Sequence, residues 1–273
     1  MTVVEGTGAL EPGLGRLFVV VGVFDGLHLG HEYLLGELRR VAAEHEARPA
    51  VITFDHHPDE VLKGAAPPLL CDPDERLQRL AAAGVMVTVI ETFDVALRET
   101  PYDVWIRHIA ERVELAGFLM TPESAFGYER GGTPETVAEL GRELGYEVVV
   151  LPQFTLDGRP VRSSDIRAAI ASGDLAGAAR LLGRRVAAVG TVERAARDAT
   201  HLSFAMPVAL PPPGRYESFV RTAGGSTRNR EAVIDATGLR LEPAVPATTD
   251  ARLSVELVRL VREGPSAATI RRS

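Results

Sequence analysis

The 273-residue chain carries one cysteine, Cys71, and one lysine, Lys63. A lone cysteine excludes an internal disulfide and fits a reducing, cytoplasmic setting. Cys71 has no histidine near it in sequence and reads as a loop residue beside Asp72-Pro73, not as a nucleophile. No apolar run approaches the roughly 20 residues that span a bilayer. The first residues show no basic stretch followed by an apolar core, so neither a secretory leader nor a membrane partner is expected. Positive charge is also short, with 30 Lys and Arg against 37 Asp and Glu, a formal net charge of −7 and a pI near 5.6. That balance argues against nucleic acid as a partner. Arg259, Arg262, Arg271 and Arg272 read as a solvated end.

What is present is ordinary for a globular protein, at 45% hydrophobic residues, and one stretch organises it. Leu17 to Val23 is a run of seven nearly unbroken apolar residues, the pattern of a strand buried on both faces of a parallel sheet. Gly22, Asp25, Gly26 and Gly30 then turn the chain. Leu34, Leu35, Leu38, Val41 and Ala42 recur at helical spacing, so a helix starts near Gly30. His28 and His31 fall across that strand-to-helix turn, where unpaired N–H groups and the helix dipole favour phosphate.

Further strands are expected at 50–54, 85–90, 117–120 and 147–151. Helices are expected after Asp72-Pro73, Thr100-Pro101 and Thr133-Pro134, the last closed by Gly145. This alternation predicts a Rossmann-like parallel sheet with helices on both faces, with ligands beyond the carboxyl ends of its strands. Residues 1–16 read as a frayed lead-in. Asp157-Gly158 reads as a tight turn, Ser163 to Arg167 as the start of a short helix ending at Gly173, and Asp174 as the cap of another ending at Gly183. Beyond Gly183 come short strand-like segments at 186–192, 202–205, 216–221 and 253–260, separated by Pro211-Pro-Pro-Gly214 and Ala223-Gly-Gly225. The expected organisation is therefore an α/β domain over 1–183 and a small β-barrel-like domain over 184–273.

Gly22-Val-Phe-Asp-Gly-Leu-His-Leu-Gly-His31 resembles the His-x-Gly-His signature of the nucleotidyltransferases. Among them it is most similar to the bacterial bifunctional riboflavin kinase/FAD synthetase family. Arg162-Ser163-Ser164-Asp-Ile-Arg167 resembles that family's second nucleotide motif, Ser-Ser-Thr-x-x-Arg, with Arg162 in the first serine's place. There the hydroxyl is expected to cap a helix while Arg167 forks onto phosphate oxygens. Thr53-Phe-Asp-His-His-Pro58 resembles the family's Thr-Phe-Asp-Pro-His-Pro. The resemblance implies transfer of AMP from ATP to FMN, giving FAD and pyrophosphate, with Mg2+ bridging phosphates and no dedicated protein metal ligands. It assigns catalysis to His28, His31 and Arg167. It assigns nucleotide binding to Gly22, Phe24, Asp25, Gly30, Ser163 and Ser164, and the acceptor to Phe54, His57, Pro58, Glu123 and Phe126.

Two stretches depart from the family pattern. In Glu123-Ser-Ala-Phe-Gly127, Ser124 replaces the first aromatic of Phe-x-Phe-Gly. In Leu202-Ser-Phe-Ala-Met-Pro-Val208, Met206 and Val208 replace the Thr and Asn of the kinase motif Gly-Phe-Pro-Thr-Ala-Asn, and neither side chain ligates magnesium or bonds phosphate. The expectation is adenylyl transfer without riboflavin kinase activity. Two other readings compete with it: a different phosphorylated acceptor, and a catalytically weak nucleotide- or flavin-binding regulator.

Overall fold

A computed structural model of the chain describes residues 1–195, 198–222, 225 and 227–263. The expectations for Ala223, Gly224, Arg271 and Arg272 lie outside the described residues. The chain divides into two compact units, one of residues 1–67 and 76–160, the other of residues 68–75 and those from 161 onward.

The first unit holds β1 (Thr2–Glu5), β2 (Leu17–Val21), α1 (Leu29–Glu44), β3 (Arg48–Phe54), α2 (Asp59–Lys63) and most of α3 (Pro73–Ala82). It continues through β4 (Val87–Glu91), α4 (Val95–Glu99), α5 (Tyr102–Ala110), β5 (Leu115–Met120), α6 (Pro134–Leu144), β6 (Glu147–Val150) and the small hairpin β7 (Thr155–Leu156) and β8 (Arg159–Pro160). Six strands form one sheet in the order β1-β4-β3-β2-β5-β6, and every pairing is parallel. The order reverses between β2 and β5, whose carboxyl ends therefore flank the crevice where ligands settle in such sheets.

Alternation along β2 divides the core. Leu17 and Val19 pack with Trp105, Ile106 and Ile109 of α5 and with Val137 and Leu140 of α6. Phe18 meets the His45 ring, at the end of α1, at 5.0 Å. Leu35 and Leu38 of α1 are fully buried, as its helical apolar spacing requires. The Thr133-Pro134 start of α6 is a reciprocal capping box with Thr136, and Gly145 closes the helix in the left-handed region.

The lead-in expectation is corrected. Residues 2–5 form an edge strand in register with Val87–Ile90, and Leu10 and Leu14 are buried. The short helices α2 and α4 are also additional to the sequence reading.

The second unit begins with residues 68–75. Within it, Leu69 bridges to Val208, the Pro68 carbonyl accepts from Arg167 Nε at 2.8 Å, and Arg252 pairs with Asp72 and Asp74. Helices α7 (Ser163–Ser172) and α8 (Leu175–Leu182) end at Gly173 and Gly183 as expected. Strands β9 (Val186–Ala195), β10 (Thr200–Ser203), β11 (Gly214–Thr222), β12 (Thr227–Asp235), β13 (Gly238–Glu242) and β14 (Arg252–Glu263) close into a barrel of order β10-β13-β12-β11-β14-β9. Val192, Tyr216, Val220, Ala232, Leu241 and Val255 are buried in it. Strands β12 and β13 are additional to the segments read from sequence.

Candidate active site

The turn between β2 and α1 is built from backbone that few side chains accept. Phe24 (φ 51°), Gly26 (φ 82°) and Leu27 (φ 35°) all lie at positive φ. Glycine tolerates this readily, whereas Phe24 and Leu27 require surrounding packing to hold them. Both are buried, and so is Asp25 between them. The ends of the turn are tied to β3. Gly22 N–H donates to Ile52 O at 3.0 Å, and Thr53 Oγ1 donates to Val23 O at 3.0 Å.

His28 is the N-cap of α1, and its Nδ1 accepts from His31 N–H at 3.4 Å. With Nδ1 accepting, the neutral ring carries its proton on Nε2. The two imidazoles stack at 3.7 Å and 15°, and the His31 ring lies 5.0 Å from that of Phe24. Gly30 sits in the first turn of the same helix. The turn thus brings His28, His31, Gly22, Phe24, Asp25 and Gly30 together at the positive end of a helix.

Beside it opens a cavity of about 780 Å3. Its walls come from the carboxyl ends of β2 (Val21, Gly22, Val23) and β3 (Phe54, His57, Pro58), and from Thr121 and residues 123–127 after β5. All five residues assigned to the acceptor, Phe54, His57, Pro58, Glu123 and Phe126, line it. Phe54 meets Phe93 edge-on at 5.4 Å, and Phe126 meets Trp105 at 5.4 Å, a geometry favoured by ring quadrupoles. His57 Nδ1 accepts from Asp59 N–H at 3.2 Å. Where the family pattern has an aromatic, the Ser124 hydroxyl takes the Thr121 N–H at 2.9 Å and lies 2.9 Å from Thr121 Oγ1.

Burial tends to push the Asp55 carboxyl up. The amides of His56 and Phe93 and the Thr92 hydroxyl bond its charged form and hold it below the ordinary carboxylate range.

The sequence reading missed three contributors. Phe93 and Trp105 line the cavity. Helical spacing after Thr100-Pro101 marks Trp105 only as an inward residue of a helix, and nothing local marks Phe93. Arg76, 8% exposed, donates from Nη1 to Val23 O at 3.2 Å and from Nη2 to Phe54 O at 2.8 Å. Its only sequence signal is a place in the first turns of a helix capped by Asp72.

Ser163, Ser164 and Arg167 belong to the second unit, at the start of α7. The capping expectation there is corrected. The N-cap is Arg162, with no side-chain cap bond, and the Ser164 hydroxyl points to Asp165 Oδ1 at 3.5 Å. A serine already inside the helix is past the position from which a side chain caps.

Residues 12–165 match the family model described as FAD synthetase. The chain belongs to the FAD synthetase family. Among curated proteins it is 31% identical, over 64% of its length and 57% of the relative's, to the bifunctional riboflavin kinase/FMN adenylyltransferase of Haemophilus influenzae. It is 29% identical, over 64% of its length and 56% of the relative's, to the protein of the same name from Listeria monocytogenes. The match thus spans little more than half of each relative. Among solved structures, a Streptococcus pneumoniae protein described as a macrolide-efflux protein superposes with a TM-score of 0.81. That likeness covers 98% of this chain and 94% of the other at 19% identity, and is one of fold. The family model ends at residue 165, so it takes in the histidine turn, the cavity and both serines of the second motif, and stops short of Arg167 and the barrel. No helix among the described residues is long and apolar enough to cross a membrane.

Proposed function

We propose that this chain transfers AMP from ATP to FMN, forming FAD and releasing pyrophosphate, and that it does not phosphorylate riboflavin. The observation that carries the reading is the continuity of the two halves of the site. Gly22 and Val23 line the acceptor cavity, and the same residues lead into the histidine-capped end of α1.

A phosphate acceptor is already anionic, so no strong base is needed. An FMN phosphate oxygen attacks the α-phosphorus in line. A new P–O bond forms, the bond to the pyrophosphate oxygen breaks, and pyrophosphate leaves with that electron pair. The protein's work is alignment and neutralisation of charge on the phosphoryl oxygens. His28 Nε2–H, His31 and the N–H groups opening α1 supply it, with Asp25, Phe24, Gly22 and Gly30 shaping the turn. Phe54, His57, Pro58, Glu123 and Phe126 hold the flavin. Ser163, Ser164 and Arg167 are assigned to the triphosphate on their motif.

Among the described residues no three His, Cys, Asp or Glu side chains gather into a metal cage. The Mg2+ of the reaction is assigned to the ATP substrate, with few protein ligands.

The absence of kinase activity is supported by Met206 and Val208. The Val208 segment is also engaged by backbone bonds, with Leu69 N–H donating to Pro207 O at 2.8 Å and Ala209 N–H to Leu69 O at 2.9 Å. One observation favours a second reading, a different phosphorylated acceptor. Ser124, bonded to Thr121, offers no ring for a flavin to stack on.

The test is incubation with ATP, Mg2+ and FMN, following FAD and pyrophosphate, with riboflavin as a parallel substrate. FAD with FMN and no FMN from riboflavin is the expected result. Pyrophosphate appearing only with another acceptor supports the second reading. FMN formed from riboflavin overturns the kinase statement.

A further inference from the structure

Arg76 is a buried cation bonded to the carbonyls of residues 23 and 54, which are distant in sequence, both line the acceptor cavity, and differ in that Val23 also leads into the histidine turn. Val23 immediately precedes the positive-φ turn that presents His28. Phe54 ends β3, and its residue lines the acceptor cavity. Val23 O accepts a second bond, from Thr53 Oγ1, so the carbonyl that opens the turn is held from two directions. Backbone at positive φ in Phe24 and Leu27 persists only where its surroundings over-determine it. A guanidinium suits the task because its planar arms hold two acceptors at fixed spacing, which a single ammonium cannot reproduce.

We propose that Arg76 is a positioning residue for phosphoryl attack, setting the spacing between the histidine turn and the acceptor wall. It touches neither substrate. It acts through Val23 and Phe54, fixing where His28 stands relative to the bound acceptor. The inference rests on the adenylyl-transfer reading above.

The experiment uses the full chain with Arg76→Met, Arg76→Lys and, as control, Arg79→Met from the same helix. Steady-state FAD and pyrophosphate formation is measured alongside amide hydrogen exchange of residues 22–28. A misplacement of about 1 Å costs on the order of 100-fold, so Arg76→Met is expected to lose about that factor in kcat. KM for ATP and FMN should stay within about threefold, because the binding groups remain. Exchange should quicken across residues 22–28. Arg76→Lys should recover less than about a tenth of the activity, and millimolar methylguanidinium should raise the rate of Arg76→Met. Arg79→Met should behave as wild type.

An unchanged kcat in Arg76→Met, full function in Arg76→Lys, or a loss confined to KM would overturn the proposal. Should Arg76→Met fail to fold, Arg76→Lys with its exchange pattern decides. Should the wild-type chain itself form no FAD, the activity reading fails separately. Exchange then judges Arg76, and unchanged protection of residues 22–28 in Arg76→Lys sinks it.

Discussion

Replacing His28 separates what its ring does for the helix from what it does for the reaction. In His28→Ala, α1 loses a cap worth about 1 kcal/mol, toward the lower end because the bond from His31 N–H is long at 3.4 Å. It also loses the stack on His31, worth about 0.5–1.5 kcal/mol. Together these predict a loss of about 1–2 kcal/mol, or a fall in Tm of about 2–6 °C. Removing a preorganised donor to a charge-bearing oxygen costs about 100- to 1000-fold in kcat, so turnover should fall much further than stability. His28→Asn provides the contrast. Asparagine is among the best N-caps, so thermal stability should return close to wild type. Its short amide does not reach where imidazole Nε2 stands, and kcat should stay at least about tenfold down. Thermal melts and initial rates of pyrophosphate release on the same preparations test this. If His28→Asn restores rate together with stability, or His28→Ala loses less than about fivefold in rate, the ring is a cap and the catalytic argument is wrong.

Arg167→Ala should cost about 1 kcal/mol of stability through the lost bond to Pro68 O and raise KM for ATP, since an Arg–phosphate contact adds ground-state binding. Unaltered ATP kinetics would remove Arg167 from the site. At Gly127, φ is +75° and an added Cβ would come within 2.7 Å of the Tyr102 backbone nitrogen. Gly127→Ala should therefore cost about 1–3 kcal/mol and raise KM for the acceptor, read by melts and FMN titration. Finally, the bond to Glu147, with that to Val41 O, holds the His45 pKa above its ordinary value despite partial burial. The resulting stability is fully present below the unfolded histidine pKa of about 6.5 and is lost as pH rises through the raised folded value. Glu147→Gln should thus lower Tm at pH 5.5–6.5 and leave it unchanged at pH 9. An equal effect at both pH values would refute the linkage.

The parallel sheet and the histidine turn were legible because their signals are local. Leu17–Val21 is apolar throughout, Gly26 marks the turn, and Thr133-Pro134 and Gly145 bracket a helix with standard caps. Strand β1 was hidden because four residues at a sheet edge carry almost no periodicity, and its pairing with Val87–Ile90 is decided far along the chain. The Asp94 cap of α4, which accepts Leu97 N–H at 2.8 Å, was a signal that five residues of helix made easy to pass over. Strand β12 is exposed at Thr227, Arg228 and Asn229 and buried only toward its end, so its first half reads as a charged loop. The five acceptor residues came from the resemblance, and the cavity gathers all of them. Arg76 was out of reach, because its burial depends on two carbonyls that only folding brings to it.

A closed ring of strands has no ends. Strand β9 pairs with β10 over Thr191–Ala195 and with β14 over Val186–Thr191, so the described strands close on one another through main-chain bonds. Where the ring is closed an added strand finds little unpaired edge, which favours recognition through side chains or loops. Met206 and Val208, the positions that the sequence resemblance sets against the kinase motif, fall between β10 and β11, outside that ring. Their chemistry can drift while the ring, held by main-chain bonds that nearly any residue supplies, stays shut.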